Sequence, residues 1–530
     1  MKSRTITIHL AKDDLDRYED ALKLPDMFDR FDPDDDHEEE PVLFVKQHPA
    51  NPPRWKLLLD EAFDLSALNL SVRSVSAVLF LKVRERTFAI TFGHGWSMLD
   101  DGRFVEDFGL KAALGAVAPD ELRNVDVMRP ETAALRKRQQ TGRSSRLDEF
   151  EIDQLVDVIR SVTGRAADDG FAKKATGSSS LKLSAELDFA GLGRKCAQAL
   201  DLFESDAYQA SFAMIDQLRP VSDPVMIGTL DQLLLGALNN AEFERVYLSP
   251  PEIIDETAIV GFKFQGTWNK TLYSDLDITD YFAGRRTDDD IELETLKAHH
   301  VEIQFEVEGT SFPRWKLYKC IIFEVSHGGH QYILSEGSWY RVDTDFRDRV
   351  IDFYESKVVQ SGFPDAGVAE SEPAYCARVC GRDGRILFDR QTFRVPGEAT
   401  GYELCDILTD ERVLLHTKPG EKGSSTLSHL FRQGVMAGEL LAREPEFRNQ
   451  VRDYLTRVAA ENVELIPVDQ PNARDYTIRF GVIAKRRRDG TFDIPFFSKV
   501  SFQHSARRLG AYGFNVDLCF IERVDEEAAG

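Results

Sequence analysis

The chain has 530 residues, enough for two to four domains, with 42% hydrophobic and 29% charged residues, the balance of a globular protein. Lys and Arg total 66 and Asp and Glu 90, a formal charge of −24. That charge excludes a general nucleic-acid coat or a binder of anionic membranes, while leaving room for a local basic site. No apolar run approaches the ~18 residues that span a bilayer, and Met1 to Leu10 lacks the apolar core of a signal peptide.

In chain order, Thr5-Ile-Thr-Ile-His-Leu10 alternates with the period of a half-buried strand, and a polar amphipathic helix is expected after it. Residues 27–53 read as an acidic loop or insertion. Asp32 to Glu40 carries seven carboxylates, prolines surround it, like charges repel, and proline cannot donate to a ladder. Ser76–Val83 and Thr87–Phe92, joined by Arg84-Glu-Arg86, predict a hairpin. Helical spacing is read over Phe150–Ile159, and Gly177-Ser-Ser-Ser-Leu-Lys182 as a plain loop, because it lacks the Gly-Lys-Ser/Thr ending of a phosphate loop. A helical stretch follows to about residue 245, broken near Pro220 and Pro224.

Residues 301–342 are β-rich. His327 and His330 bracket Gly328-Gly329, which reads as a tight hairpin turn and not as a pair of metal ligands. A helix is expected from Phe346 to Val358, then a Pro/Gly-rich break at 361–373. The four expected regions are an N-terminal α+β domain (1–120), a mainly helical region (121–250), a β-rich region (251–360) and an α/β core (361–530). The six cysteines are scattered without a C-x-x-C spacing, as expected of reduced thiols in a cytoplasmic protein.

The chemistry concentrates between Glu372 and Ala484, in the order helix, two or three strands, helix, strand. Gly401–Leu408 and Val413–Lys418, joined by Thr409-Asp-Glu-Arg412, predict a hairpin that sets Asp406 near His416 and Lys418. Residues 416 and 418 share one face of their strand. Glu403 and Asp406 are three apart and need a bulge to share a site, so Asp406 is preferred. Ser424 and Ser425 precede a helix that carries His429, Arg432 and Gln433. They allow either a phosphate site at the helix N-terminus or an ordinary capped helix with a polar face. Lys485, Arg486, Arg487 and Arg488 lie in a stretch, 471–510, with nine basic and three acidic residues. They read as a solvated hairpin tip or as a phosphate clamp.

The strand carboxylate followed by His416-Thr417-Lys418 resembles the core of the PD-(D/E)XK nucleases. That resemblance implies a restriction-endonuclease-like α/β core with a mixed sheet. It implies Mg²⁺ or Mn²⁺ bound by Asp406 with Glu372 and His416, catalytic roles for Asp406, Glu403, His416 and Lys418, and DNA or RNA as partner. His416 departs from the pattern, which has an acid there. Over nearly its whole length the chain also resembles a bacterial family of "sporadically distributed" proteins of unknown function. This rests on Phe88-Ala-Ile-Thr-Phe-Gly-His-Gly-Trp96, Phe108-Gly-Leu110, Gly177-Ser-Ser-Ser-Leu181, Tyr402-Glu-Leu-Cys-Asp-Ile-Leu408, His416-Thr-Lys418 and Ser424-Ser-Thr-Leu-Ser-His-Leu-Phe-Arg-Gln-Gly434. The family's patchy occurrence beside mobile elements implies a role in conflict with phage or plasmids. Taken with the nuclease resemblance, the expectation is a metal-dependent nuclease of anti-phage or anti-plasmid defence, or a toxin, with a homo-oligomer or a second protein of the same system as further partner. The alternative expectation is a non-catalytic nucleic-acid sensor or scaffold of such a system.

Overall fold

The computed structural model describes Ser3 to Val524 apart from residues 34–37, 48–51, 54–55, 57–58, 61, 66–67, 72–74, 130–134, 151, 153–157, 206–207, 252–258, 269–270, 288, 306–310, 381–383, 396–400, 421–423 and 488–489. It is a mixed α+β structure that divides into two compact units. One comprises Met1–Met128, Arg136–Asp153 and Val158–Ile215, and the other chiefly Asp216–Gly530.

The first unit is built on a ten-stranded sheet, antiparallel from Asp29–Phe31 through Val117–Arg129. The predicted hairpin is Val75–Val83 with Arg86–Gly93. Its two-residue turn puts Arg84 and Glu85 at φ 50° and 63°, the left-handed pair a tight hairpin demands. Helices Phe108–Ala116 and Gly191–Glu204 bury one face of the sheet through Phe108, Leu192 and Cys196. The start of the first helix meets the turn after Lys174–Gly177 backbone to backbone: Leu110 N–H donates to the Ser178 carbonyl at 2.7 Å. A Cβ on Gly177 would lie 2.0 Å from the Gly109 carbonyl oxygen. Residues 177–182 are thus a packed hairpin turn.

Three expectations are corrected here. After Leu10 come the 3-10 turns Tyr18–Ala21 and Pro25–Met27, not an amphipathic helix, since Ala11 and Leu22 are held in antiparallel bridges to Phe104 and Leu99. The segment read as an acidic loop contains paired strands, Asp29–Phe31 and Val42–Gln47, of which the second alternates buried and half-buried at Val42, Leu43, Phe44 and Val45. The region taken as mainly helical holds the strands Val117–Arg129, Leu135–Ser145, Val158–Ala166, Lys174–Gly177 and Leu181–Glu186. Register shifts along Val117–Arg129 break the two-residue alternation that identifies a strand. Part of the helical reading at 150–159 lies outside the described residues.

In the second unit a five-stranded antiparallel sheet and a three-stranded one share a core with helix Pro224–Asn239. Gly328 and Gly329, at φ 56° and 77°, close the hairpin of Ile321–His327 and His330–Ser335 as expected. The C-terminal part is a seven-stranded mixed sheet. Its centre is three parallel strands, Val413–Pro419, Thr477–Ala484 and Asn515–Val524, with Ile407–Leu408 and Ile386–Leu387 added antiparallel on one side. Helices Ser424–Arg443 and Phe496–Tyr512 join the parallel strands and cover one face, Phe431 and Phe502 packing on Phe480 of the central strand. Burial of each such ring contributes roughly 1.5–3 kcal/mol. Helix Glu372–Val379 covers part of the other face with Tyr375, Cys376 and Val379.

Candidate metal centre

Asp406 sits where the chain enters the short strand Ile407–Leu408. Its N–H donates to the Leu415 carbonyl at 2.9 Å, and its own carbonyl accepts from Phe388 N–H at 2.8 Å and Asp389 N–H at 3.1 Å. The residue is therefore wedged between two strands and only 4% exposed. Its Oδ2 accepts from the Thr417 N–H at 2.6 Å and from Thr417 Oγ1 at 3.3 Å. Burial pushes the carboxyl up to about 7. The Thr417 hydrogen bond and Lys418 oppose that rise, and the charges of Glu372 and Glu403 add to it.

Glu372 opens helix Glu372–Val379, whose N-cap Ser371 accepts from the Ala374 N–H. The helix is fixed over the sheet by Tyr375 and Cys376, and Cys376 Sγ lies 3.5 Å from Thr417 Oγ1. This brings Glu372 Oε1 to 2.5 Å from the Lys418 ammonium. Burial alone pulls the Lys418 ammonium down. The Glu372 hydrogen bond and the charges of Glu372, Asp406 and Glu403 outweigh it, so its pKa ends above the ordinary lysine value.

A third carboxylate completes the group. Asp389, just beyond Ile386–Leu387, joins Glu372 and Asp406 so that one oxygen from each lies within 4.8 Å of the others. Three hard oxygen donors, with no thiolate among them, suit a divalent cation such as Mg²⁺ or Mn²⁺. Asp389 was not singled out from sequence. The available signal was a strand ending in a carboxylate, Arg385 to Asp389, next to the strand that carries Asp406.

Glu403 reaches the same site without a conventional bulge. Strand Gly401–Glu403 pairs with Thr392–Arg394, and the chain leaves regular structure at Leu404 before Ile407–Leu408 begins. Burial raises its carboxyl, and Lys418 counters that rise. Gln433, on helix Ser424–Arg443, donates to Glu403 Oε2 at 3.4 Å. His429 hydrogen-bonds Gln433 and is held below its ordinary value, first by burial and then by Lys418 and Arg432.

His416 is not brought into this group. Thr417 turns its hydroxyl to Asp406, so on alternation its neighbour His416 points to the opposite face. There it is 2% exposed, with its ring centroid 6.0 Å from that of Phe480. Among the described residues its Nε2 has no hydrogen-bond partner, and burial, then Lys418, drive its pKa down to about 3. Lys418 also starts from that face, at the end of the strand, where its long stem lets the ammonium reach Glu372.

The remaining predicted residues are less concentrated. Arg432 Nε donates back to the Ser428 carbonyl at 3.3 Å. The side chains of Ser424 and Ser425, and Arg488 as a whole, lie outside the described residues. Lys485 is exposed. Arg486 is held by Glu522 through two bonds of 2.7 and 2.6 Å, and Arg487 by Asp493 at 3.0 Å. All six cysteines are free thiols, and among the described residues no helix is long and apolar enough to cross a membrane.

No curated protein and no solved structure matches the chain. Residues 6–522 match the family of unknown function DUF6119, and the chain belongs to that family.

Proposed function

We propose that the C-terminal part of this chain is a metal-dependent phosphodiesterase of the PD-(D/E)XK nuclease type, acting on DNA or RNA. The observation that carries the reading is the convergence of Glu372, Asp389 and Asp406 within 4.8 Å, with Lys418 bonded to the first of them. The order of the elements around the mixed sheet supports it: helix Glu372–Val379, strands Ile386–Leu387, Ile407–Leu408 and Val413–Pro419, helix Ser424–Arg443, strand Thr477–Ala484, with the strand pair Thr392–Arg394 and Gly401–Glu403 and helix Pro445–Val458 interposed. It follows the order helix, two or three strands, helix, strand read from the sequence between Glu372 and Ala484. In this reading Asp389 supplies the carboxylate that the pattern places at position 416.

Glu372, Asp389 and Asp406 would hold the cation, which when bound lowers the pKa of water and neutralises phosphate charge. Lys418 stays protonated beside Glu372 and orients a water or a phosphate oxygen. Gln433 and His429 present hydrogen-bonding groups at the rim of the same site. A role in defence against phage or plasmids, or as a toxin, rests on the family resemblance alone.

The test is incubation of the purified full chain with single- and double-stranded DNA and RNA, with Mg²⁺, Mn²⁺ or chelator. Chelator-sensitive cleavage that Asp406→Asn abolishes is expected. Binding of nucleic acid without turnover in any metal would select the non-catalytic sensor instead.

A further inference from the structure

On the first unit the apolar interior runs out to a sheet edge that no described strand covers. Register carries one row of side chains across the sheet from Leu181 through Ile8, Ile90, Leu79 and Leu43 to Phe31. Ile8 and Ile90 are fully buried, whereas Phe31, on the edge strand Asp29–Phe31, is 53% exposed. A cavity of about 380 Å³ opens beside it, floored by Ile6, Leu43, Leu79 and Leu192 and walled by the exposed rings of Phe92 and Phe189. Among the described residues, Asp29–Phe31 pairs only with Val42–Gln47, so its outer backbone edge is unpaired. Folded proteins normally cover or blunt such an edge.

Charge decides what can lie there. Asp29 is on the edge strand, Asp32 and Asp188 line the cavity, and Glu39 lies against the helix at Gly193. Arg4 is the cation of the lining, and Arg30 is already taken by Glu19 at 2.7 Å and Asp32 at 2.9 Å. Asp32 is neutralised by Arg30, but a second copy of this chain would bring its own Asp29 and Asp188 against the same residues, so like charges oppose edge-to-edge pairing of copies. We propose that this edge docks an extended, lysine- or arginine-rich segment of a partner protein. The segment adds as a further strand and seats a bulky apolar side chain in the cavity beside Phe31. Backbone hydrogen bonds supply affinity and the cavity supplies selection, the usual division in strand addition. The proposal concerns the first unit and stands independently of the nuclease reading.

The probe is a fluorescent peptide, Lys-Val-Lys-Leu-Lys-Val-Lys, titrated with the full-length protein. Three controls accompany it: glutamate in place of each lysine, serine in place of leucine, and N-methylation at alternate residues to remove one edge of donors. Saturable binding is expected for the first peptide, with at least a tenfold loss for each control. Phe31→Ser with Phe189→Ser, both at exposed positions, should weaken binding tenfold or more with an unchanged circular dichroism spectrum. The proposal is overturned by absence of saturable binding, or by equal binding of the N-methylated or glutamate peptide. It is equally overturned by undiminished binding to the double variant, or by a dimer in sedimentation that the double variant abolishes.

Discussion

The backbone N–H of Asp389 donates to the carbonyl of Asp406 at 3.1 Å, and this one bond sets their two carboxylates side by side. Neither residue depends on a long strand for its place. Asp389 follows a two-residue strand and Asp406 precedes another, so the third carboxylate is fixed by a local ladder and not by a motif.

If the trio holds the cation, Asp389→Asn and Asp406→Asn should each lower metal-dependent cleavage at least a hundredfold. Both should also weaken Mn²⁺ binding in titration calorimetry. Asn keeps the shape and removes the charge, so both variants should fold with an unchanged circular dichroism spectrum. Full activity in Asp389→Asn would remove Asp389 from the site.

His416→Glu separates the sequence pattern from the geometry. The pattern predicts that an acid at 416 keeps or raises activity. The structure places that side chain against Phe480 in an apolar layer, where an unpaired carboxylate costs about 3–5 kcal/mol. The expected outcome is a lower Tm by several degrees and reduced activity, with His416→Phe much better tolerated. An unchanged Tm with higher Mg²⁺-dependent activity would put position 416 at the metal.

The hairpin at 75–93 and the Gly328-Gly329 turn were readable from the sequence because alternation and turn residues agree. The pairing of Asp406 with the strand of Lys418 was readable for the same reason. Asp389 was not, because its strand is legible but no short turn ties that strand to Ile407–Leu408, with which it pairs. The strand Val117–Arg129 was hidden by bulges, Leu135–Ser145 by its almost wholly polar sequence, and Val42–Gln47 by the acidic, proline-rich residues around it. The face of His416 follows only once Thr417, and not its neighbour, is seen to bond Asp406.

Glu324 ties the five-stranded sheet to the C-terminal core, accepting from the Phe497 N–H at 3.4 Å at the start of helix Phe496–Tyr512. Burial raises its carboxyl from 4.5 to about 7, against the helix N–H groups, Lys499 and Arg245. The folded protein thus holds a proton that the unfolded chain releases. This contribution to stability is complete below about pH 4.5 and is lost as pH rises through about 7. Glu324→Gln should match wild type near pH 5 and exceed it by about 1–3 kcal/mol at pH 8, read by urea unfolding. Parallel pH profiles for the two proteins would refute the assignment.

Gly177→Ala tests the contact between helix Phe108–Ala116 and the turn at residues 177–181. The added Cβ would meet the Gly109 carbonyl oxygen at 2.0 Å and the Ala113 Cβ at 2.4 Å, so backbone must move. A loss of about 3 kcal/mol is expected, near the upper end of overpacking costs. Gly142→Ala, with nothing within 4 Å of its Cβ, is the control and should be near neutral.

The basic run at the carboxyl edge of the mixed sheet provides the last test. Lys418 pairs in register with Val482, so Lys485 to Arg487 leave the sheet at the same edge as the candidate site. Two of those charges are already engaged, Arg486 by Glu522 and Arg487 by Asp493. A guanidinium that contacts phosphate contributes roughly 0.9 to the slope of log binding constant against log salt on duplex DNA. Paired guanidiniums contribute less, so Arg486→Gln with Arg487→Gln should change the slope by less than about one unit. Releasing them by Glu522→Gln with Asp493→Asn should instead raise affinity for nucleic acid and steepen the slope by up to about two units. Two results would mean that the arginines leave their carboxylates to clamp phosphate. One is a slope loss near two units in the arginine variant; the other is no gain in the carboxylate variant.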